Sequence, residues 1–215
     1  MTTSAVSAFE PRKLPLQARA TVTVQAISEA TVQVLLSLGA DRLTTTRVAD
    51  RAGVSVGTLY QYYPNKQALL FAIFEDHLAK VSEVVEAACE DAHGEPMSEM
   101  IRDLVEAYVD AKMNRADISV ALYKVAPDIG GAAVVKQTGE RLRKAIERML
   151  RTATDVEVPP EGFAIDMMLS AMSGAMRSAL EASASPAMFR KLREHLVVMC
   201  QSYMAAIINR RVQSG

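Results

Sequence analysis

The segment Val54–Lys66, VSVGTLYQYYPNK, sets three phenols, an amide and an ammonium group (Tyr60, Gln61, Tyr62, Tyr63, Lys66) into a few consecutive positions. Aromatic residues are scarce elsewhere, with six Tyr and five Phe in 215 residues, so this crowding is a local demand. Such groups at a helix suit hydrogen bonding to a polyanion; the competing reading is an aromatic staple between two helices. Cys89 and His93, one helical turn apart, are the only pair with metal-ligand spacing. Zinc takes three or four such ligands, and His77 and His195 cannot be shown to converge with them. No glycine-rich phosphate loop, nucleophile elbow or paired-histidine helix motif is present. The chain reads as a non-enzyme with no metal and no cofactor.

The elements that must position these groups follow from the punctuation. Apolar residues recur at helical spacing from Leu16 through Val22, Ile27, Val34 and Leu38, and Gly39 stops the run. Thr44 or Thr45 can cap a short helix that ends at Gly53, and Ser55 can cap the next, which stops before Pro64. Asn65 caps a long helix from Lys66 towards His93. Further helices are expected at about 97–114, 117–125, 132–152 and 163–182, with a last one from Pro186 to about 210. No period-two strand pattern of useful length occurs. The chain is predicted to be all-α, with about nine helices.

Within that order, ADRAGVSVGTL has the features of a helix-turn-helix. Ala49 and Ala52 allow close crossing, Gly53 accepts the left-handed turn, and Val54 and Leu59 plug the space between the helices. The second helix opens with small residues, Ser55, Val56, Gly57 and Thr58, as entry into a major groove requires. At roughly 100° per residue the tyrosines cannot share a face. Tyr63 and Leu59 are expected inside, while Tyr60 and Tyr62 reach for phosphates beside Lys66. Gln61 points to a base edge or a phosphate.

The run LTTTRVADRAGVSVGTLYQYYPNKQALL resembles the N-terminal DNA-binding domain of the TetR/AcrR family of transcriptional repressors, over about Arg19 to Phe74. The resemblance implies a three-helix head, a connecting fourth helix and a helical C-terminal domain that dimerises and binds a small molecule. It implies phosphate contacts from Thr45 and Thr46, base reading by Val56, Gly57, Thr58 and Gln61, and a backbone grip by Tyr60, Tyr62 and Lys66. Ser55 belongs to the same DNA-facing set. The exposed recognition positions carry no Arg or Lys for bidentate guanine contacts, so base readout should lean on Val56 against thymine methyls and on DNA shape. Arg47 and Arg51 either supply the missing charge or are solvated.

Charge distribution agrees with a split of roles. Residues 10–66 hold seven Lys/Arg against four Asp/Glu, whereas the whole chain has a net charge of −1. A mildly basic head on an acidic body is expected where only the head meets phosphate. Two cysteines in apolar helical patterns, no signal-like start and no long uncharged apolar run point to a cytoplasmic protein. We therefore expect a flexible arm over 1–16 (Arg12 and Lys13 touching a groove, or solvated), a DNA-binding domain over 17–65, and a ligand-binding and dimerisation domain over 66–215.

In the body, Ser170, Gly174 and Ser178 recur every four residues opposite a stripe of Ile165, Met168, Met172 and Met176. The last helix carries Leu192, Leu196, Met199, Tyr203 and Ile207, broadened by Val197, Cys200, Met204 and Ile208. Two-sided helices of this kind invite a partner, here a two-fold homodimer with Ser170, Gly174, Ser178, Val197, Cys200, Met204 and Ile208 at its interface. Tyr108, Tyr123, Met168, Met172 and Met176 are candidates for contact with a small, largely apolar effector. Arg177 either neutralises an acidic ligand or sits on the surface. The partners expected are a near-palindromic DNA operator, the effector and a second copy, with no membrane; the rival reading is a helical dimeric scaffold or sensor without DNA binding.

Overall fold

A computed structural model describes residues 18–157 and 159–212, all of the regular structure there being helical. The helices are α1 (Ala18–Leu38), α2 (Thr45–Ala52), α3 (Val56–Tyr62), α4 (Lys66–Asp91), α5 (Met97–Asn114), α6 (Ala116–Val125), α7 (Gly131–Leu150), α8 (Gly162–Glu181) and α9 (Pro186–Val212), with a 3-10 turn over Ala126–Ile129 after α6. The arm expected over 1–16, with Arg12 and Lys13, lies outside the described residues.

The chain divides into two compact units. The first comprises the described part of Met1–Leu78 together with Asp117–Val135. Its core joins Ile27, Val34 and Leu35 of α1 to Val48, Leu59, Leu69, Ile73 and Phe74, and adds Ile118, Leu122, Val125 and Ile129 from the later segment. Each fully buried Leu or Ile side chain contributes about 2 kcal/mol of transfer free energy. The participation of α6 and the 3-10 turn was not legible in the sequence, because periodicity tells which face of a helix is apolar but not which apolar face it meets.

By length and composition Ala20–Leu38 could cross a membrane, with a mean hydropathy of 1.2. Glu29 interrupts this run, so it is not an uncharged apolar stretch. In the fold its apolar stripe is spent on the core just described. The buried hydroxyl of Thr31 is satisfied within the helix, donating to the Ile27 carbonyl at 2.7 Å.

The second unit comprises Ala79–Ala116 and the described part of Lys136–Gly215. Here α5 packs on α8 and α9. Buried methionines fill much of the space: Met100, Met149, Met168, Met172, Met176 and Met204 are all at most 2% exposed. At the surface Arg141 grips the Glu86 carboxylate with two donors, and Arg193 pairs with Asp110. Exposed pairs like these contribute at most about 1 kcal/mol each, so the apolar core does most of the stabilising. Both cysteines are buried; burial foremost pushes the Cys89 thiol up to about 12 and the Cys200 thiol up to about 11.

Candidate nucleic-acid interface

The α2–α3 corner is built by local hydrogen bonds that the sequence predicts. Thr44 caps α2, its hydroxyl accepting from Arg47 N at 3.3 Å, and Ser55 caps α3, accepting from Thr58 N at 2.9 Å. Between them Gly53 takes φ 68° and ψ 28°, the left-handed conformation in which a β-carbon would be strained. Leu59 is fully buried and Tyr63 is 4% exposed, so both plug inward. Burial, then the nearby Asp76 carboxylate, push the Tyr63 phenol above its ordinary value. Tyr60 is exposed and Tyr62 half-buried.

This arrangement leaves a polar surface on the outer side of α2 and α3. The Tyr60 hydroxyl lies 3.1 Å from Thr45 Oγ1, and the Ser55 and Thr58 hydroxyls are 2.8 Å apart. Thr46, Arg47, Ser55, Gly57 and Gln61 are exposed, and Thr45, Val56 and Thr58 are partly so. Val56 packs against the core of the unit, which limits how much of it a thymine methyl could meet.

Four cations stand around this surface, each held by an oxygen of the fold. Arg42 Nε donates to the Leu38 carbonyl at 3.1 Å, and Arg47 donates to the Arg42 carbonyl. Arg51 Nε donates to Gln33 Oε1 at 2.6 Å, and Lys66 Nζ to the Ala40 carbonyl at 3.1 Å. The oxygens are carbonyls and an amide, not carboxylates, so the side chains are oriented without their charge being cancelled. A guanidinium has five donors and an ammonium three, so each retains capacity for a phosphate. Arg42 was missed from the sequence, where nothing but its charge marked it.

Gly57 is informative by its smallness. It is the second residue of α3, a position where alanine would serve the helix at least as well. A β-carbon there would meet only Ser55 Oγ, at an ordinary 3.7 Å. The fold has room for a side chain that the sequence omits.

The other predicted site residues separate. Tyr108, Met168, Met172 and Met176 are buried in the second unit, whereas Tyr123 belongs to the first. Arg177 is on the surface, its Nε donating to Glu181 Oε1 at 2.8 Å, because on α8 it falls opposite the methionine stripe. A small cleft of about 270 Å³ lies instead among Glu147, Leu150, Arg151, Pro160 and Gly162. Among the residues expected to meet a partner, Ser170, Gly174 and Ser178 are exposed, and Val197 and Ile208 partly so. Cys200 and Met204 are 1% and 0% exposed within the chain itself. They belong to its own core, because the buried stripe of α9 runs Phe189, Leu196, Cys200, Met204. Val198 and Met199 beside them are exposed at 61% and 40%. Cys89 is buried and His93 lies 3.8 Å from Glu90, and no cluster of three or more metal-ligating side chains occurs among the described residues.

The family model for bacterial regulatory proteins of the tetR family matches residues 22–73, and that for the tetracyclin repressor-like C-terminal domain matches residues 96–204. No curated protein matches the chain in sequence. Among solved structures, a protein from Mesorhizobium loti MAFF303099 described as a TetR-family transcriptional regulator gives a TM-score of 0.74 at 14% identity, covering 88% of this chain and 98% of its own. A TetR transcription regulator from Haloarcula marismortui ATCC 43049 gives 0.68 at 21% identity, covering 87% and 99%. The TetR-like regulator LfrR from Mycobacterium smegmatis, solved with proflavine, gives 0.56 at 21% identity, covering 87% and 98%. At these identities the likeness concerns the fold.

Proposed function

The chain belongs to the TetR family of bacterial transcriptional regulators, and from that premise we propose that it is a repressor acting as a two-fold dimer on a near-palindromic operator. Thr45, Thr46, Tyr60, Tyr62 and Lys66 grip phosphates, with Arg47 adding charge. Gly57, Thr58, Gln61 and the exposed part of Val56 approach base edges, and Ser55 lines the entrance. Two copies must present α3 to major-groove faces about 34–36 Å apart. The DNA-binding domain is then residues 17–65, helped by Lys66 at the start of α4, and effector binding and dimerisation fall to the rest of 66–215. A small effector releases the operator by binding better to a conformation with the wrong spacing. The protein operates in the cytoplasm, where the duplex is.

For the partner surface we propose Ser170, Gly174 and Ser178 of α8 with Val197, Val198, Met199 and Ile208 of α9. A β-carbon at Gly174 would meet nothing within 4 Å in the single chain, leaving room for a second helix. A Gly174→Glu variant should sediment as a monomer; a dimer left intact would move the interface elsewhere.

The observation that carries the DNA reading is the vacant space over Gly57. The matching experiment compares wild type with Gly57→Ala on duplexes from upstream of the reading frame, by fluorescence anisotropy at several salt concentrations. Wild type should bind with an affinity that falls steeply as salt rises. Gly57→Ala should fold at least as stably yet bind at least about tenfold more weakly, a loss of about 1.4 kcal/mol. Wild type without salt-sensitive affinity for any duplex would be the scaffold instead, and undiminished binding by the variant would remove α3 from the groove.

A further inference from the structure

Phe163 is the most exposed large apolar side chain among the described residues, at 72%, whereas Phe71, Phe74 and Phe189 are all at most 8% exposed. One exposed ring is ordinary. This one has company: Met167, one turn on, is 48% exposed, and both lie away from the buried Ile165, Met168, Met172 and Met176 of α8. At about 100° per residue, Ser170, Gly174 and Ser178 fall within about 60° of Phe163. One outer face of α8 therefore carries two large apolar residues followed by three small exposed ones.

That order fits a copy of itself. A second α8 running antiparallel, with the two-fold between positions 170 and 171, brings position 163 opposite 178 and position 167 opposite 174, each twice. Phe163 then stands over a serine and Met167 over a glycine. The space is there, since a β-carbon on Gly174 would meet nothing within 4 Å in the single chain. Moving the two-fold two positions towards the C-terminus carries Phe163 past the end of α8 at Glu181. Moving it two positions towards the N-terminus still sets large against small, so a further observation must choose.

Charge makes that choice. Asp166 and Arg177 lie along one edge of the same face, and an antiparallel two-fold sets like edges together. About 170/171, Arg177 comes within about 3 Å, along the axis, of the level of the opposing Asp166; the N-terminal shift makes this about 9 Å. Arg177 Nε donates to Glu181 within the chain at 2.8 Å, and Asp166 lies 3.7 Å from Arg143 Nε. A guanidinium has five donors, so the pairing with Glu181 leaves room for a second carboxylate.

We propose that two copies pack α8 against α8 antiparallel about a two-fold between positions 170 and 171, with Phe163 over the partner's Ser178, Met167 over the partner's Gly174 and Arg177 beside the partner's Asp166. This rests on the homodimer proposed above and deepens it by giving the interface a register. Small residues alone would allow many registers; two large side chains and an ion pair at set distances allow one.

Cysteines placed in the full-length chain and oxidised with copper–phenanthroline read that register. Wild type is the blank, because Cys89 and Cys200 are buried. Ser170→Cys, beside the two-fold, should form a covalent dimer. Met167→Cys alone and Gly174→Cys alone should not, since each thiol would sit about 10 Å along the axis from its own copy, and a disulfide needs Cα atoms within about 7 Å. The double variant Met167→Cys/Gly174→Cys should cross-link as well as Ser170→Cys; within one chain its thiols are two turns apart. Phe163→Ser should raise the dimer dissociation constant at least about tenfold in sedimentation, and Phe163→Ser/Ser178→Phe, which exchanges large for small, should recover most of the loss. Cross-linking of either single variant at 167 or 174, none in Ser170→Cys or in the double variant, or no recovery on exchange would each overturn the register. Sedimentation of wild type separates the two readings: a monomer sinks dimer and register together, whereas a dimer with the wrong cross-links removes the register alone.

Discussion

The Tyr60 hydroxyl lies 3.1 Å from the Thr45 hydroxyl, so the middle of α3 is tied to the first residue of α2. Two hydroxyls share one proton between them, which leaves a second proton and further lone pairs pointing outward. The pair is thus a preformed, two-point hydrogen-bonding edge rather than two independent contacts. Tyr60→Phe and Thr45→Val should each weaken binding to every duplex alike, by about 1 kcal/mol. Thermal stability should barely change, because Tyr60 is 41% exposed. The double variant should lose less than the sum of the two; strict additivity in anisotropy titrations would show that the hydroxyls act separately.

Lys66 combines two roles that can be separated. Its Nζ donates to the Ala40 carbonyl at 3.1 Å, bracing the turn after α1 against the start of α4. Lys66→Met keeps the stem and removes the donor, and should cost about 1 kcal/mol of stability. If the ammonium also neutralises a phosphate, the slope of log affinity against log salt should fall by about one per subunit. A stability loss with an unchanged slope would leave Lys66 as a brace only.

Phe74 packs so closely over Gly131 that a β-carbon there would lie 2.8 Å from its ring Cε1 and 2.9 Å from the Ala126 carbonyl oxygen. This contact joins α4 to the start of α7 inside the first unit. Gly131→Ala should therefore destabilise by about 1–3 kcal/mol, as overpacking does. Gly139, also in α7, has nothing within 4 Å of a β-carbon and serves as the control. Gly139→Ala should stabilise by about 0.5–1 kcal/mol. Urea melts that ranked the two variants the other way would mean that the ring and carbonyl move aside freely.

Burial pushes the Lys112 ammonium down to about 8 from 10.5. Between those values the unfolded chain binds a proton that the folded chain does not, so this group makes stability rise with pH. Below about pH 8 the folded state carries the full penalty, of the order of 3 kcal/mol. Lys112→Met should be more stable than wild type near pH 7, with the difference shrinking as pH rises from 8 towards 10.5. Denaturant midpoints across that range measure it, and a difference independent of pH would mean that the lysine does not titrate there.

What the sequence determined was local. Thr44, Ser55, Asn65, Gly39, Gly53 and Pro186 mark helix ends through hydrogen bonds and dihedral limits that act within a few residues, so the helices could be bounded by inspection. The inward pair Leu59 and Tyr63 was legible for the same reason, since a four-residue step fixes a shared face. The tertiary structure decided what no spacing encodes. It joined α6 and the 3-10 turn to the core of the first unit, turned Cys200 and Met204 inward while leaving Val198 and Met199 outside, and sent Arg177 to the surface. It also enclosed Lys112, a residue that any hydropathy pattern assigns to solvent. Each outcome depends on which apolar faces meet, and burial is a property of both surfaces in a contact, whereas periodicity describes only one.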